Sequence, residues 1–236
     1  MSGDDLIRGM NRYYADRAAW HDRYMSYEGR EAMVVLLRPI VDDVSRLLSG
    51  RRVLEVAAGT GNWTLVLAEV AESVLATDVS TDALAIARGK LGDFPSVVLM
   101  EADAYSLGGV GAGFTGAFAS DWLSHVPKSH LAGFLGALHA KLEPGARVVF
   151  VDMLPSPRLS AEFSHADAEG NLIHRRSLPN GREYAVVKNY PAQAELTAAV
   201  AGSATDCEYI AYPSLARWLF TYVLAGSREG GKGHAE

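Results

Sequence analysis

The sequence predicts an α/β fold, with a mostly parallel sheet covered by helices on both faces. Three observations carry this. From Arg52 to Met153, short apolar runs of strand length alternate with segments of helical period. A glycine-bearing loop, residues 57–61, joins the first such run to the first such helix. Carboxylates or polar groups stand just past the predicted strand ends, where open α/β sheets bind their ligands.

The elements follow in order. Residues 6–27 and 31–48 read as two helical stretches, the second kinked near Pro39, because proline lacks the N–H a helix interior uses. Residues 52–56 read as a strand and 63–71 as a helix apolar nearly all round. Residues 74–77 are a short strand. Residues 82–91 are a helix with Leu84, Ala87 and Leu91 on one face. Residues 97–101 and 114–120 are strands. In residues 128–142, Leu131, Phe134, Leu135, Leu138 and Leu142 recur at the helical period, and Pro144-Gly145 should stop that helix. Residues 147–153 form a fifth strand. Past Met153 the rhythm changes. Residues 171–190 read as a hairpin turning at Pro179-Asn180-Gly181, 191–201 as a helix and 205–211 as a strand. Residues 218–225 are apolar, and strand and helix both remain open there.

With 236 residues, 49% of them hydrophobic, the chain can bury one substantial core. No internal repeat or linker divides it. The division expected is one domain over 1–225: a helical lid (1–49), a ligand-binding core (50–153), a hairpin cap (154–190) and the C-terminal part of the sheet (191–225). A flexible polar tail over 226–236 follows. A net charge of −6 without a cluster of Lys and Arg argues against nucleic acid and anionic membrane surfaces as partners. Cys207 is the one cysteine, so neither a disulfide within the chain nor a cysteine-based zinc site is expected. The opening "MSGDDLIRGM" is too polar for a signal peptide, and no apolar run approaches the ~18–20 residues of a spanning helix. The expectation is a cytoplasmic protein, monomer or homodimer.

The loop suggests a nucleotide, and its details narrow which one. A dinucleotide fingerprint needs G-x-G-x-x-G. Here Gly59 and Gly61 are followed by Thr64 in the third position, and Trp63 would crowd a helix start meant for a pyrophosphate. Glu55, just before the loop, repels phosphate but can orient an ammonium group. Asp78, ending the second strand, is placed to accept both hydroxyls of a ribose. Asp103, ending the third, can accept from an adenine amino group. Together they describe adenosine with an amino-acid tail, which is S-adenosyl-L-methionine. A nicotinamide-dependent oxidoreductase stays as the weaker alternative, as does a protein that binds S-adenosylmethionine without methylating.

The motifs "VLEVAAGTGNW", "LATDVS", "MEADAYSL", "FASDWLSHVP" and "LEPGARVVFVDM" resemble, in this order, those of class I S-adenosylmethionine-dependent methyltransferases, in the small-molecule, menaquinone-biosynthesis-like group. The resemblance covers about residues 13–225. It implies a Rossmann-like, seven-stranded, mostly parallel sheet with an N-terminal helical lid and a hairpin cap after strand five. It implies that Glu55 meets the methionine amino group, while Ala57, Gly59 and Gly61 let the backbone approach the methionyl and ribose parts. Asp78 would hold the ribose with Val79 against the adenine, and Asp103 and Ala104 would read the adenine edge. Ser120 and Trp122 would line the methionine side. "RYYADRAAWHDRYM" resembles a lid helix that covers the cofactor, with Tyr14, Arg17, Ala18 and His21 on one face; His21 replaces the usual tyrosine, and Tyr14 and Trp63 are counted among the implied cofactor contacts.

Methyl transfer requires an aligned nucleophile, exclusion of water and removal of a proton. His125, after strand four, is the first candidate base, a cofactor or substrate contact, or structural; Asp121 is the alternative base or a polar anchor. His21, Tyr24, Arg176 and Tyr184 are the candidate acceptor contacts. In the hairpin His174, Arg176, Tyr184, Val186 and Lys188 alternate, and Arg176 or Lys188 can meet an anionic or carbonyl group. Which face points inward depends on register. No metal is expected. The expected reaction is methyl transfer to oxygen or nitrogen of a small-molecule acceptor, such as a specialised metabolite.

Overall fold

A computed structural model describes residues 3–21, 30–156 and 163–226. Seven strands form the main sheet. These are β1 (Arg52–Val56), β2 (Ser73–Asp78), β3 (Val97–Glu101), β4 (Phe114–Ser120), β5 (Leu142–Met153), β9 (Ala204–Tyr212) and β10 (Arg217–Leu224). Their order is β3-β2-β1-β4-β5-β10-β9. β1 to β5 pair in parallel, and β10 runs antiparallel to both its neighbours. The seven-stranded Rossmann-like expectation holds. The strand order reverses between β1 and β4, so a crevice opens at their carboxyl ends.

Alternation along the strands builds two cores. Leu54 and Val56 face a core with Ala117, Ala119 and Phe150, covered by α6 (Leu131–His139) and α7 (Gln193–Val200). Val53, Phe118, Val149 and Val151 face the other way, covered by α2 (Arg30–Leu36), α3 (Arg38–Leu48) and α4 (Asn62–Val70). The break at Leu37 between α2 and α3 is the kink expected near Pro39, which occupies the first turn of α3 where its missing N–H costs nothing. α5 (Thr81–Leu91) starts where Ser80 Oγ accepts the Ala83 N–H, and it carries Asp82 in its first turn and Arg88 and Lys90 in its last, matching the helix dipole.

A third core lies apart. In it α1 (Gly3–Arg17) packs Leu6, Met10 and Tyr13 against Ile173, Leu178, Val186 and Val187. These come from β7 (Leu172–Ser177), the start of the turn after it and β8 (Glu183–Val187), the expected hairpin, with β6 (Phe163–Ala166) added as a third strand that sequence reading did not anticipate. Of the stretch 1–49 expected as lid, α1 joins the cap, while Met33, Ile40, Val44 and Leu48 of α2 and α3 join the sheet.

Two boundaries need correction. The helix expected over 128–142 is a 3-10 turn (Lys128–His130) followed by α6, ending at His139. β5 already begins at Leu142 and runs through Pro144. A register shift between Phe114 and Gly116 absorbs the proline, with Gly145 at φ +83°. The apolar segment near residues 218–225 is β10, because its neighbours on both sides are strands. The expected flexible tail falls, from residue 227 on, outside the described residues. No helix among the described residues is long and apolar enough to cross a membrane.

Candidate active site

A cavity of about 390 Å³ opens at the β1/β4 switch point and runs beneath α1. This is the size and place expected of a small-molecule site. It is lined by most of the residues singled out above: Tyr14, His21, Glu55, Ala57, Gly59, Trp63, Asp78, Val79, Asp103, Ala104, Ser120, Asp121, Trp122, His125 and Arg176.

The loop after β1 shows how its glycines divide the work. Gly59 has φ +58°, and a Cβ there would meet nothing within 4 Å, so its backbone faces open space. Gly61 does not line the cavity. It stands at φ +81° as the left-handed N-cap of α4, and a Cβ there would come within 2.8 Å of Ala87 Cβ. Close packing, the task of the third dinucleotide glycine, is thus done by Gly61 against α5. Ala57 holds φ +55°, a left-handed conformation that an alanine adopts only under strain. Trp63 packs against Phe118 with ring centroids 5.1 Å apart, so it belongs to the core as well as lining the cavity.

Asp78 locks this loop. Its Oδ2 accepts the Gly59 N–H at 2.8 Å and its Oδ1 accepts the Ser80 N–H at 2.8 Å. Each oxygen keeps a further lone pair. Burial nevertheless raises its carboxyl above the usual range. Glu55 is 1% exposed, and its Oε2 has no hydrogen-bond partner. Burial, with the Asp78 charge adding to it, pushes the Glu55 carboxyl up to about 8. Asp103 turns both oxygens onto its own loop, accepting from the Tyr105 N–H and the Ser106 hydroxyl. Val79 leaves an apolar side chain 41% exposed beside them.

At the other end of the cavity, Tyr14 Oη lies 2.7 Å from His125 Nε2. His125 Nδ1 is 2.6 Å from the Val187 carbonyl. A carbonyl only accepts, so Nδ1 carries the proton, and in the neutral ring Nε2 accepts from the Tyr14 hydroxyl. Burial and the charges of Lys188, Arg176 and Arg17 hold His125 well below the usual histidine range, although the Val187 bond opposes them. Burial also raises the Tyr14 hydroxyl. The 3-10 turn Leu123–His125 is gripped by the cap: Lys188 Nζ donates to Ser124 Oγ at 2.7 Å, and the Asn189 N–H donates to the Ser124 carbonyl at 2.7 Å.

Asp121 sits at φ +53° with its Oδ1 2.7 Å from Arg217 Nη1. Burial alone would raise its carboxyl, but Arg217 and Lys188 hold it below the usual range. His21 Nδ1 lies 2.8 Å from Arg17 Nη2. Tyr184 does not line the cavity. It lies on the face of its cross-strand partner Arg176, but α1 covers it there: its ring packs on Tyr13 and its hydroxyl bonds Asp16, which also receives Arg182. Tyr24 lies outside the described residues.

Lys188, considered with Arg176 for an anionic group, also lines the cavity; sequence reasoning missed Arg217 and Asn11, which line it too. Among the described residues no cluster of three or more His, Cys, Asp or Glu could hold a metal ion.

The residues present fit the ligand that the sequence suggests. A buried carboxylate oxygen lacks a donor, a glycine cradle faces open space, and an exposed valine lies beside Asp78. Residues 53–145 match a family described as "Methyltransferase domain". No curated protein matches the sequence. Among solved structures, the chain is similar to one described as "DhpI-SAM-HEP complex" (28% identity, 92% of this chain and 97% of that one, TM-score 0.73). It is similar to another described as "DhpI-SAH complex structure" (26%, 93% and 97%, TM-score 0.71). It shares its fold with an S-adenosylmethionine dependent methyltransferase from Mesorhizobium loti (19%, 80% and 97%, TM-score 0.56).

Proposed function

We propose that this chain, an S-adenosylmethionine-dependent methyltransferase, methylates an oxygen or nitrogen of a small anionic molecule held beside Tyr14 and His125. The carrying observation is the convergence of Arg17, Arg176 and Lys188, all less than 8% exposed, on a cavity that also holds the Tyr14–His125 pair. Buried cations facing a cavity favour an anionic ligand. The similar structure described as a complex with SAM and HEP supports a site that takes S-adenosylmethionine together with a second ligand.

S-adenosylmethionine, when bound, supplies a methyl group on a sulfonium, an electrophile that needs only an aligned nucleophile. Glu55 would take its ammonium group, Asp78 the ribose hydroxyls, Val79 the adenine face, and Asp103 and Ala104 the adenine edge. Ser120 and Trp122 would border its methionine side. Ala57 and Gly59 keep the backbone low enough to admit it.

His125 is the proton acceptor in this reading. The acceptor's proton passes to Tyr14 Oη as the Tyr14 proton passes to His125 Nε2, and the resulting imidazolium keeps its Nδ1–H on the Val187 carbonyl. Asp121 is the anchor of the two candidates, because a carboxylate held ionised by Arg217 is a weak base. His21 and Arg176 would contact the acceptor.

The test is S-adenosylhomocysteine release from S-adenosylmethionine across small hydroxy- and amino-acceptors, each offered as a phosphonate, phosphate or carboxylate and as its neutral ester. Turnover confined to the anionic members is the expected result. Turnover of neutral acceptors alone, or none with any acceptor, would overturn the reading and favour a non-methylating binder.

A further inference from the structure

We propose that an anionic acceptor activates its own base: its charge, seated among Arg17, Arg176 and Lys188, offsets the positive field that these side chains cast on His125. The inference rests on the acceptor reading above and adds to it a reason why charge governs turnover and not binding alone.

His125 sits where three elements meet, and each brings charged or titratable groups. From α1 come Tyr14, bonded to Nε2, and Arg17, whose guanidinium lies 5.0 Å from the Tyr14 ring centre. From β7 comes Arg176. After β8 comes Lys188, the residue next to the strand's last, Val187, whose carbonyl fixes Nδ1. β5 brings Asp152, 3.4 Å from Lys188 Nζ, but its oxygens also accept the Ser124 and Met153 N–H groups. Asp121, which also lines the cavity, is bound to Arg217. Among the described groups, the charges that act on the ring are the positive ones of Lys188, Arg176 and Arg17.

That arrangement opposes the reaction's own product. Proton transfer ends with an imidazolium at His125, and a buried imidazolium beside like charges is disfavoured by both burial and repulsion. The direction of the His125 shift agrees, with burial the larger cause and Lys188, Arg176 and Arg17 adding to it. An anion in the cavity leaves burial unchanged but cancels the repulsion. The proton leaves the acceptor through Tyr14 Oη and comes to rest on Nε2, and the new cation faces the acceptor's own anion. A neutral isostere would leave the repulsion in place, so its methylation should be slow even at saturation.

The experiment is an NMR titration of His125 in the full chain saturated with S-adenosylhomocysteine, with and without inorganic sulfate, whose charge is constant over the pH range used. His125→Gln identifies the resonance, and calorimetry reports whether sulfate binds. The expected result is a midpoint raised by about one pH unit or more on saturation with sulfate, with a smaller rise in Arg176→Gln. Bound sulfate with an unmoved midpoint, no titration in either state, or an equal rise in Arg176→Gln would overturn the proposal while leaving the acceptor reading standing. Failure of sulfate to bind would overturn both.

Discussion

Tyr14 Oη stands 2.7 Å from His125 Nε2, so the lid helix and the turn after β4 share one hydrogen bond across the cavity. Removing either partner should slow turnover without emptying the cofactor site. Tyr14→Phe and His125→Asn are each expected to lower kcat by about 10²–10⁴. Calorimetry should show S-adenosylhomocysteine affinity little changed. Full activity in His125→Asn would exclude it as the base.

Ala57 adopts φ +55° and Gly61 φ +81°, and the two positions should respond in opposite ways. Ala57→Gly relieves left-handed strain and should stabilise the protein by about 1 kcal/mol, or about 2–4 °C in Tm. Gly61→Ala would push a Cβ to within 2.8 Å of Ala87 and should lower Tm and weaken cofactor binding together. Thermal melts of the two variants check this directly.

Glu55 should make cofactor binding depend on pH. Its carboxyl is raised to about 8, so near pH 7 most molecules carry the proton. An ammonium group needs the carboxylate, so binding should release nearly one proton at pH 7. Affinity should rise as pH climbs toward 8 and level off above it. For folding the sign is opposite. Between the unfolded value of about 4.5 and the folded value of about 8, the folded state holds the extra proton, so this group's contribution to stability falls as pH rises. Heats of binding in buffers of different ionisation enthalpy count the released proton. Glu55→Gln should abolish that release and weaken binding.

Lys188 and Asp152 are both almost fully buried, 3.4 Å apart. Lys188→Met would leave Asp152 without its counter-charge and should cost about 3–5 kcal/mol of stability. Chemical denaturation measures this, and a loss under about 1 kcal/mol would show that the backbone N–H groups alone satisfy Asp152.

The parts of this molecule legible in its sequence are those fixed by local pattern. β1, β3 and β4 were bounded correctly because short apolar runs sit between polar turns, and Glu55, Asp78 and Asp103 fall just at or after such runs. Arg217 was not legible. It reaches Asp121 only because β10 pairs antiparallel with β5, bringing residues 96 positions apart together. Tyr184 shares the face of Arg176, its partner across the hairpin, but only the placement of α1 over that face shows that its hydroxyl meets Asp16 and not the cavity. Gly61 was read as a cofactor contact, since only the packed position of Ala87 reveals its second task.

The central claim is that this cavity holds S-adenosylmethionine through the carboxylates at the ends of β1 and β2. Calorimetric titration of the wild-type chain and of Asp78→Ala with S-adenosylhomocysteine and with reduced nicotinamide dinucleotide tests it most directly. The account predicts one-to-one binding of S-adenosylhomocysteine to the wild type, at least about tenfold weaker binding to Asp78→Ala as hydrogen bonds to a charged group are lost, and no comparable binding of the dinucleotide. Tighter binding of the dinucleotide, or affinity for S-adenosylhomocysteine unchanged in Asp78→Ala, would contradict it.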